Sequence, residues 1–328
     1  MTAPGRRLDS FKGWMVLWGP LMALLLVTAT FYLTTRQYEA SWDDALFLLR
    51  SPEMANPSNL LRVFEVDFFG FTDNPALSGD TPLYRPLPLG LLIAERGLFG
   101  TQMDGFRLVH MGWHLLNIAL LFLLVRRMLG AQCIFGPFVA SAVLAFLPYT
   151  VDTVLFLTSI SDLMALCFVL LASIGFLDWT NDPKPWRWVA VTLLSLGAML
   201  CKESAVSVIV VLSVLYWCVR NDSSRDRYAA AALFGVALAT GLFFWLRGTA
   251  VDGLAHTAVG TFLYELPAAL AVSVRFAVLP FSLVLEQPVE PRVGSLLWWS
   301  GCGILFLGLV FAIRFGRRLK LLTAGVVI

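Results

Sequence analysis

Two adjacent carboxylates, Asp43 and Asp44, lie in the stretch Ser41-Trp-Asp-Asp-Ala45, just past a long apolar run, Trp14–Thr34. Further along comes Leu83-Tyr-Arg-Pro-Leu87, and Lys202-Glu203 interrupts the apolar stretch Trp188–Val219. A carboxylate at a membrane surface can take a proton from an acceptor hydroxyl. A second beside it can orient that acceptor or tune the first through like-charge repulsion. A guanidinium grips phosphate with parallel hydrogen bonds, and Lys202 could neutralise a departing phosphate while Glu203 holds it in place. Together these residues predict chemistry on a lipid-linked phosphate. Each also has a plainer reading. An Asp pair suits a solvated helix start, and Tyr84-Arg85 suits a membrane-interface anchor. Lys202 and Glu203 could pair with each other at the tip of a helical hairpin. An ionisable pair within an apolar run is nonetheless a functional hypothesis by default.

The rest of the chain must position these groups. Of its 328 residues 58% are hydrophobic and 14% charged, against roughly 25% charged in a soluble domain. Long apolar runs recur from end to end, which predicts an all-α polytopic transmembrane helical bundle rather than a barrel of short alternating strands. The net charge of +2 and the absence of a basic aromatic patch exclude nucleic acid as a partner. The five cysteines lie in or beside apolar runs without paired spacing, so neither a disulfide framework nor a zinc site is expected.

A crossing needs about twenty apolar residues. Spans are therefore expected at Trp14–Thr34, Phe106–Val125, Phe135–Leu147 (ended by Pro148), Asp162–Leu177, Tyr228–Leu246 and Ser295–Phe315, with a hairpin over Trp188–Val219. The charged start Met1–Lys12 precedes a run long enough to span and no convincing cleavage site, so the first span is expected to be retained. Residues 35–105 form a large polar loop with short interfacial helices, among them Pro86–Leu98, which Glu95 and Arg96 interrupt. Thr261–Leu285 is broken by Pro267, Arg275 and Pro280 and reads as an interfacial or re-entrant segment. Arg6, Arg7, Lys12, Arg126-Arg127, Lys184, Arg187 and the Arg220–Arg227 loop mark the cytoplasmic side. The N-terminus is then inside, and Asp43-Asp44, Arg85, Asp152, Asp162 and Lys202-Glu203 gather outside. A multi-pass protein of the plasma (inner) membrane is expected, with residues 1–328 as one domain, incomplete at its C-terminal end.

Asp162 reads as a helix cap or pocket residue. His110 and His114 share a helix face, but no third ligand accompanies them, so paired core histidines are expected. Lone His256 carries no specific signal. Two outer carboxylates could hold a divalent ion, though no metal is predicted. No glycine-rich phosphate loop, nucleophile elbow or dinucleotide fingerprint occurs.

The order of these features resembles a known family. One span, Trp-Asp-Asp, Val66-Asp67-Phe68-Phe69-Gly70, Tyr84-Arg85-Pro86, a His…Asn span, Phe-Leu-Pro, an early Asp in the next span and a Lys-Glu inside an apolar run follow one another. This is similar to the multi-spanning C-type glycosyltransferases, in particular the protein O-mannosyltransferase-like branch whose better-known members carry tetratricopeptide repeats. The resemblance covers roughly Trp14–Leu285. It implies Asp43 and Asp44 as catalytic residues, and Asp67, Tyr84, Arg85, His114, Asp162, Lys202 and Glu203 as substrate-binding ones. It also implies an inverting transfer from a polyprenyl-phosphate sugar to a protein or glycan acceptor at the non-cytoplasmic face. No cofactor beyond that donor is expected; membrane lipids and the acceptor complete the partners. The chain departs from the family at Arg107 and His110, where His and Asn are usual, at Ile160-Ser161, where an Arg is lost, and at Leu147-Pro148 in place of His-Pro. It also lacks the repeats. The alternative is a non-catalytic lipid-phosphate-binding scaffold or flippase in envelope glycan assembly, for which the same charged residues should point apart.

Overall fold

Proline opens helix after helix in this chain. In the computed structural model, which describes residues 5–36, 38, 44–71, 83–130, 132–219 and 225–251, Pro86, Pro148 and Pro185 each stand in the first turn of a helix. A missing N–H there leaves no intrahelical bond unmade. The helices are α1 (Gly5–Leu33), α2 (Pro86–Phe99), α3 (Met103–Leu129), α4 (Phe135–Phe146) and α5 (Pro148–Leu155). They continue with α6 (Ile160–Asn181), α7 (Pro185–Cys201), α8 (Val208–Val219) and α9 (Asp226–Ala250). No strand occurs among the described residues. The protein is an all-α membrane bundle: α3, α6 with the turn before it, and α9 are each long and apolar enough to cross a bilayer.

Two of the expected apolar stretches are broken. The third does not simply end at Pro148; α4 and α5 form a pair bent by 54°. Leu147 takes the extended conformation that a following proline enforces (φ −62°, ψ 129°), and Pro148 then starts α5 in a new direction. The apolar stretch around Lys202 breaks at that residue, which is extended (φ −156°, ψ 133°) between α7 and a short 3-10 turn, Glu203–Ser207. In the polar loop, short turns at Ala45–Leu49, Glu53–Ala55 and Pro57–Phe64 precede α2.

Helices in lipid gain little from hydrophobicity and associate through close approach and interhelical hydrogen bonds. Both devices hold α9 on α6 and α7. A Cβ on Gly235 would come within 2.4 Å of Thr192 Oγ1 and 3.0 Å of Trp188 Nε1, so the α9 backbone passes where only glycine fits. The Trp188 indole N–H donates to Ala231 O (2.8 Å) and that of Trp179 to Tyr228 O (2.7 Å). Asn117 on α3 donates to Leu163 O on α6 (2.8 Å), and Ser141 on α4 to Ile118 O on α3 (3.2 Å). Asp43, His256, the Thr261–Leu285 segment, the span expected at Ser295–Phe315 and the basic residues after it lie outside the described residues.

Candidate functional site

Asp44 begins a line of contacts that runs through most of the residues singled out from the sequence. Its carboxylate is fully buried. It accepts the backbone N–H of Leu157 on Oδ2 (3.0 Å) and that of Thr158 on Oδ1 (2.9 Å). An anion over the first amides of a helical turn is favourable, and this turn leads directly into α6. Arg107 on α3 ties the same corner together. Its guanidinium donates to Leu155 O (3.2 Å) and Tyr38 O (3.0 Å) and lies within Coulombic reach of Asp44. The loop that carries the Asp doublet is thus knotted to the junction of α5 and α6.

In the first turn of α6, Asp162 forms an ion pair with Lys202 Nζ (2.5 Å), at the end of α7. The next residue, Glu203, accepts the Tyr84 backbone N–H on Oε1 (2.7 Å) and Arg85 Nε on Oε2 (2.9 Å). Lys202 and Glu203 therefore do not pair with each other, contrary to the plainer expectation. Alternate side chains along extended backbone point to opposite sides, and each finds its own partner. Two charges inside an apolar stretch are tolerable because both are compensated.

Arg85 N-caps the helix that Pro86 starts. Glu203 occupies only its Nε edge, and the Arg85 Nη nitrogens take no hydrogen bond among the described residues. The guanidinium lies 5.8 Å from the Phe68 ring centroid, near enough for a cation–π contact. Phe68 N–H donates to Leu83 O (2.6 Å), so the Asp67–Gly70 turn is pinned to the strand-like segment that carries Arg85. Within that turn Asp67 Oδ1 accepts the Phe69 N–H (2.7 Å). Burial raises the Asp67 carboxyl above its ordinary range, against the opposing pull of the Phe69 and Gly70 amides. Phe47, three residues past Asp44, packs on Phe68 and Phe69 with ring centroids 5.3 and 5.1 Å apart.

Asp44, Asp67, Arg85, Asp162, Lys202 and Glu203 thus meet at one end of α6 and α7. Two predicted residues take other roles. The Tyr84 ring is buried against Phe243 on α9, with its hydroxyl donating to Phe64 O (3.3 Å), and only its backbone N–H joins the line. His114 is buried between the Tyr32 ring (5.1 Å) and Ala145 O (3.3 Å from Nε2), away from these contacts. His110 is a core residue too, but it faces Glu95 at 3.7 Å rather than pairing with His114. Arg107 escaped the sequence reading as a site residue. Its signal was a lone arginine a turn inside an apolar helix, which can be buried only with partners. Among the described residues no three His, Cys, Asp or Glu side chains form a group that could hold a metal ion.

Two cations and two carboxylates cancel here, yet each cation keeps N–H donors beyond its ion pair. Such a group can accept a further anion without rearranging. The model of the dolichyl-phosphate-mannose-protein mannosyltransferase family matches residues 86–246. Over these residues the chain is similar to the protein O-mannosyltransferase-like branch of C-type glycosyltransferases. It is 28% identical over 196 residues to the protein O-mannosyl-transferase Tmtc2 of Drosophila melanogaster. That match covers 56% of this chain and 20% of the fly protein, so the chain spans about a fifth of that relative's length. No solved structure matches. The family match includes Arg85's helix from Pro86 onward, Asp162 and the Lys202-Glu203 break; the aspartate loop precedes it.

Proposed function

We propose that this chain transfers a hexose from a polyprenyl-phosphate carrier to an acceptor hydroxyl at the non-cytoplasmic face of the membrane. The observation that carries this reading is the run of contacts from Asp44 through Asp162, Lys202 and Glu203 to Arg85. It sets two cations with spare donors beside the loop that bears the Asp doublet. A scaffold whose charges point apart would lack this convergence.

The chemistry follows from charge. The donor's phosphodiester carries one negative charge. As the acceptor oxygen attacks the anomeric carbon, the bond from that carbon to the phosphate oxygen breaks. The leaving lipid phosphate gathers a second negative charge, and Arg85 and Lys202 stabilise it as it develops. The acceptor's proton goes to a carboxylate. Asp44 is poorly suited to that task, because it is buried and both its oxygens already hold backbone amides. The base is therefore assigned to Asp43, with Asp44 as the residue that fixes their loop. Displacement from the face opposite the phosphate inverts the anomeric centre. Mannose is the first sugar to test and a protein hydroxyl the first acceptor, following the names of the family and of the fly relative.

The test is a transfer assay on the full chain in lipid nanodiscs, with a panel of polyprenyl-phosphate hexoses and hydroxyl acceptors. Asp43→Asn is expected to insert normally and to lose about 10²–10⁴-fold in turnover, the usual worth of a general base. Wild-type turnover in Asp43→Asn ends its assignment as base, and no transfer by the wild type from any donor ends the whole reading.

A further inference from the structure

The reading above uses Asp44, Asp162 and Glu203, and Asp67 serves its own turn; each of these four carboxylates accepts a hydrogen bond from the protein. A fifth carboxylate, Asp152, is different. It is half-buried, yet among the described residues it accepts no hydrogen bond and pairs with no cation. Removing a carboxylate from water without a donor is costly, so this one is open to a donor that the described residues do not supply.

Its place in the fold says which donor. Asp152 lies in the middle of α5, the short helix created by the bend at Pro148. At the start of α5, Tyr149 lies within Coulombic reach of Asp162, the partner of Lys202. The end of α5 leads straight to Leu157 and Thr158, the residues that Asp44 holds. The helix therefore joins the cation that meets the phosphate to the anchor of the loop bearing the base. The sugar undergoing transfer must lie between those two. Thr150, Thr153 and Val154 form the buried side of α5. Tyr149, which is 60% exposed, and Asp152 are three apart and share a different side. Tyr32 on α1 closes the neighbourhood. The Asp152 charge reaches its hydroxyl, but that hydroxyl is directed to Ala145 O (3.4 Å) rather than to the carboxylate.

We propose that Asp152 binds the sugar of the donor, accepting hydrogen bonds from two neighbouring hydroxyls of the hexose while the Tyr149 ring lies against its C–H face. An ionised carboxylate is acceptor-only and has room for two O–H donors, and such charge-assisted bonds are the strong ones. An aromatic ring with an exposed face and a polar tip is the complementary surface for a sugar that is apolar on one side. This proposal rests on the transferase reading and adds to it a determinant of which sugar is accepted.

The experiment compares the full-length wild type with Asp152→Ala and Asp152→Asn in nanodiscs. The donors are a polyprenyl-phosphate hexose that the wild type uses and its four single-deoxy analogues. Loss of a hydrogen bond to a charged group corresponds to about a 10- to 100-fold effect. The wild type is expected to discriminate by that factor against one or two neighbouring deoxy donors, and Asp152→Ala to use those analogues and the parent sugar equally. The loss with the parent sugar should appear in KM for the donor more than in kcat. Asp152→Asn, the same size, guards against misfolding and should lose most of the same discrimination. Unchanged discrimination in both variants overturns the assignment of Asp152 while leaving the transferase reading intact. Absence of transfer by the wild type from every donor overturns both.

Discussion

At the scale of single residues the site depends on groups that do two jobs at once. Arg85 gives its Nε to Glu203, and its Nη edge, which takes no hydrogen bond among the described residues, is the proposed phosphate contact. A lysine offers a point charge without that fork and cannot hold Glu203 and a phosphate in the same geometry. Arg85→Lys is therefore expected to lower kcat/KM for the lipid-linked donor about 10- to 100-fold, with the protein still inserted; steady-state kinetics over donor concentration checks it. Asp67 gives a prediction in pH. Burial holds its folded-state pKa above the ordinary 3.8, so its protonated form is favoured by folding. The stability it contributes is full below that value and is lost as pH rises through the raised one. Asp67→Asn keeps an oxygen for the Phe69 amide and does not titrate. It should flatten this part of the stability-against-pH curve, measured by thermal unfolding in detergent between pH 3 and pH 7, a range about these carboxyl values.

At the scale of helices, much of the fold was legible because crossing a bilayer demands long apolar runs, and the family order added the candidate site residues. The expected spans Phe106–Val125 and Asp162–Leu177 became α3 and α6, and the Lys202-Glu203 interruption became a break in the chain. What the sequence did not reveal was the direction of the chain after a break. Residues 148–155 are moderately apolar and carry Asp152, so periodicity gave them no element; proline geometry bends them into α5 instead. Pairing was equally hidden. Lys202 and Glu203 are neighbours in sequence, and only the extended backbone at Lys202 shows that their charges serve different partners. Gly235 looked like one small residue among many on an apolar helix, yet the Trp188 and Thr192 side chains fill the space beside it. Gly235→Ala is expected to destabilise the contact of α9 with α7 by about 1–3 kcal/mol, the usual cost of overpacking, and to weaken the Trp188 indole bond to Ala231. A lower unfolding temperature in detergent with a shifted tryptophan emission is the expected signature.

At the scale of the whole molecule, charge divides into two belts. One holds Asp44, Arg107, Asp162, Lys202, Glu203 and Arg85. The other holds Arg127 paired with Asp178 (2.9 Å), Lys184 and Arg187 paired with Asp182 (2.8 and 2.9 Å), and Arg126 over the Trp18 ring (4.7 Å). Arg107 and Arg126 lie on the same helix, roughly 28 Å apart at 1.5 Å per residue, close to the ~30 Å thickness of hydrocarbon. Arginine and lysine concentrate in short loops on the cytoplasmic side, and the second belt carries the short basic loops. By that rule we propose that the second belt faces the cytoplasm and the Asp44–Arg85 belt the outside, where a lipid-linked donor would meet its acceptor. Cys133, a free, partly exposed thiol in the turn between α3 and α4, reports on the second belt directly. A membrane-impermeant maleimide should label it in inside-out vesicles but not in intact cells, with Cys133→Ser subtracting the contribution of the other cysteines. Labelling of Cys133 from outside intact cells would turn the molecule over and carry the proposed chemistry to the cytoplasmic face. It would leave every contact of the site in place and take away the reason for expecting an extracytoplasmic acceptor.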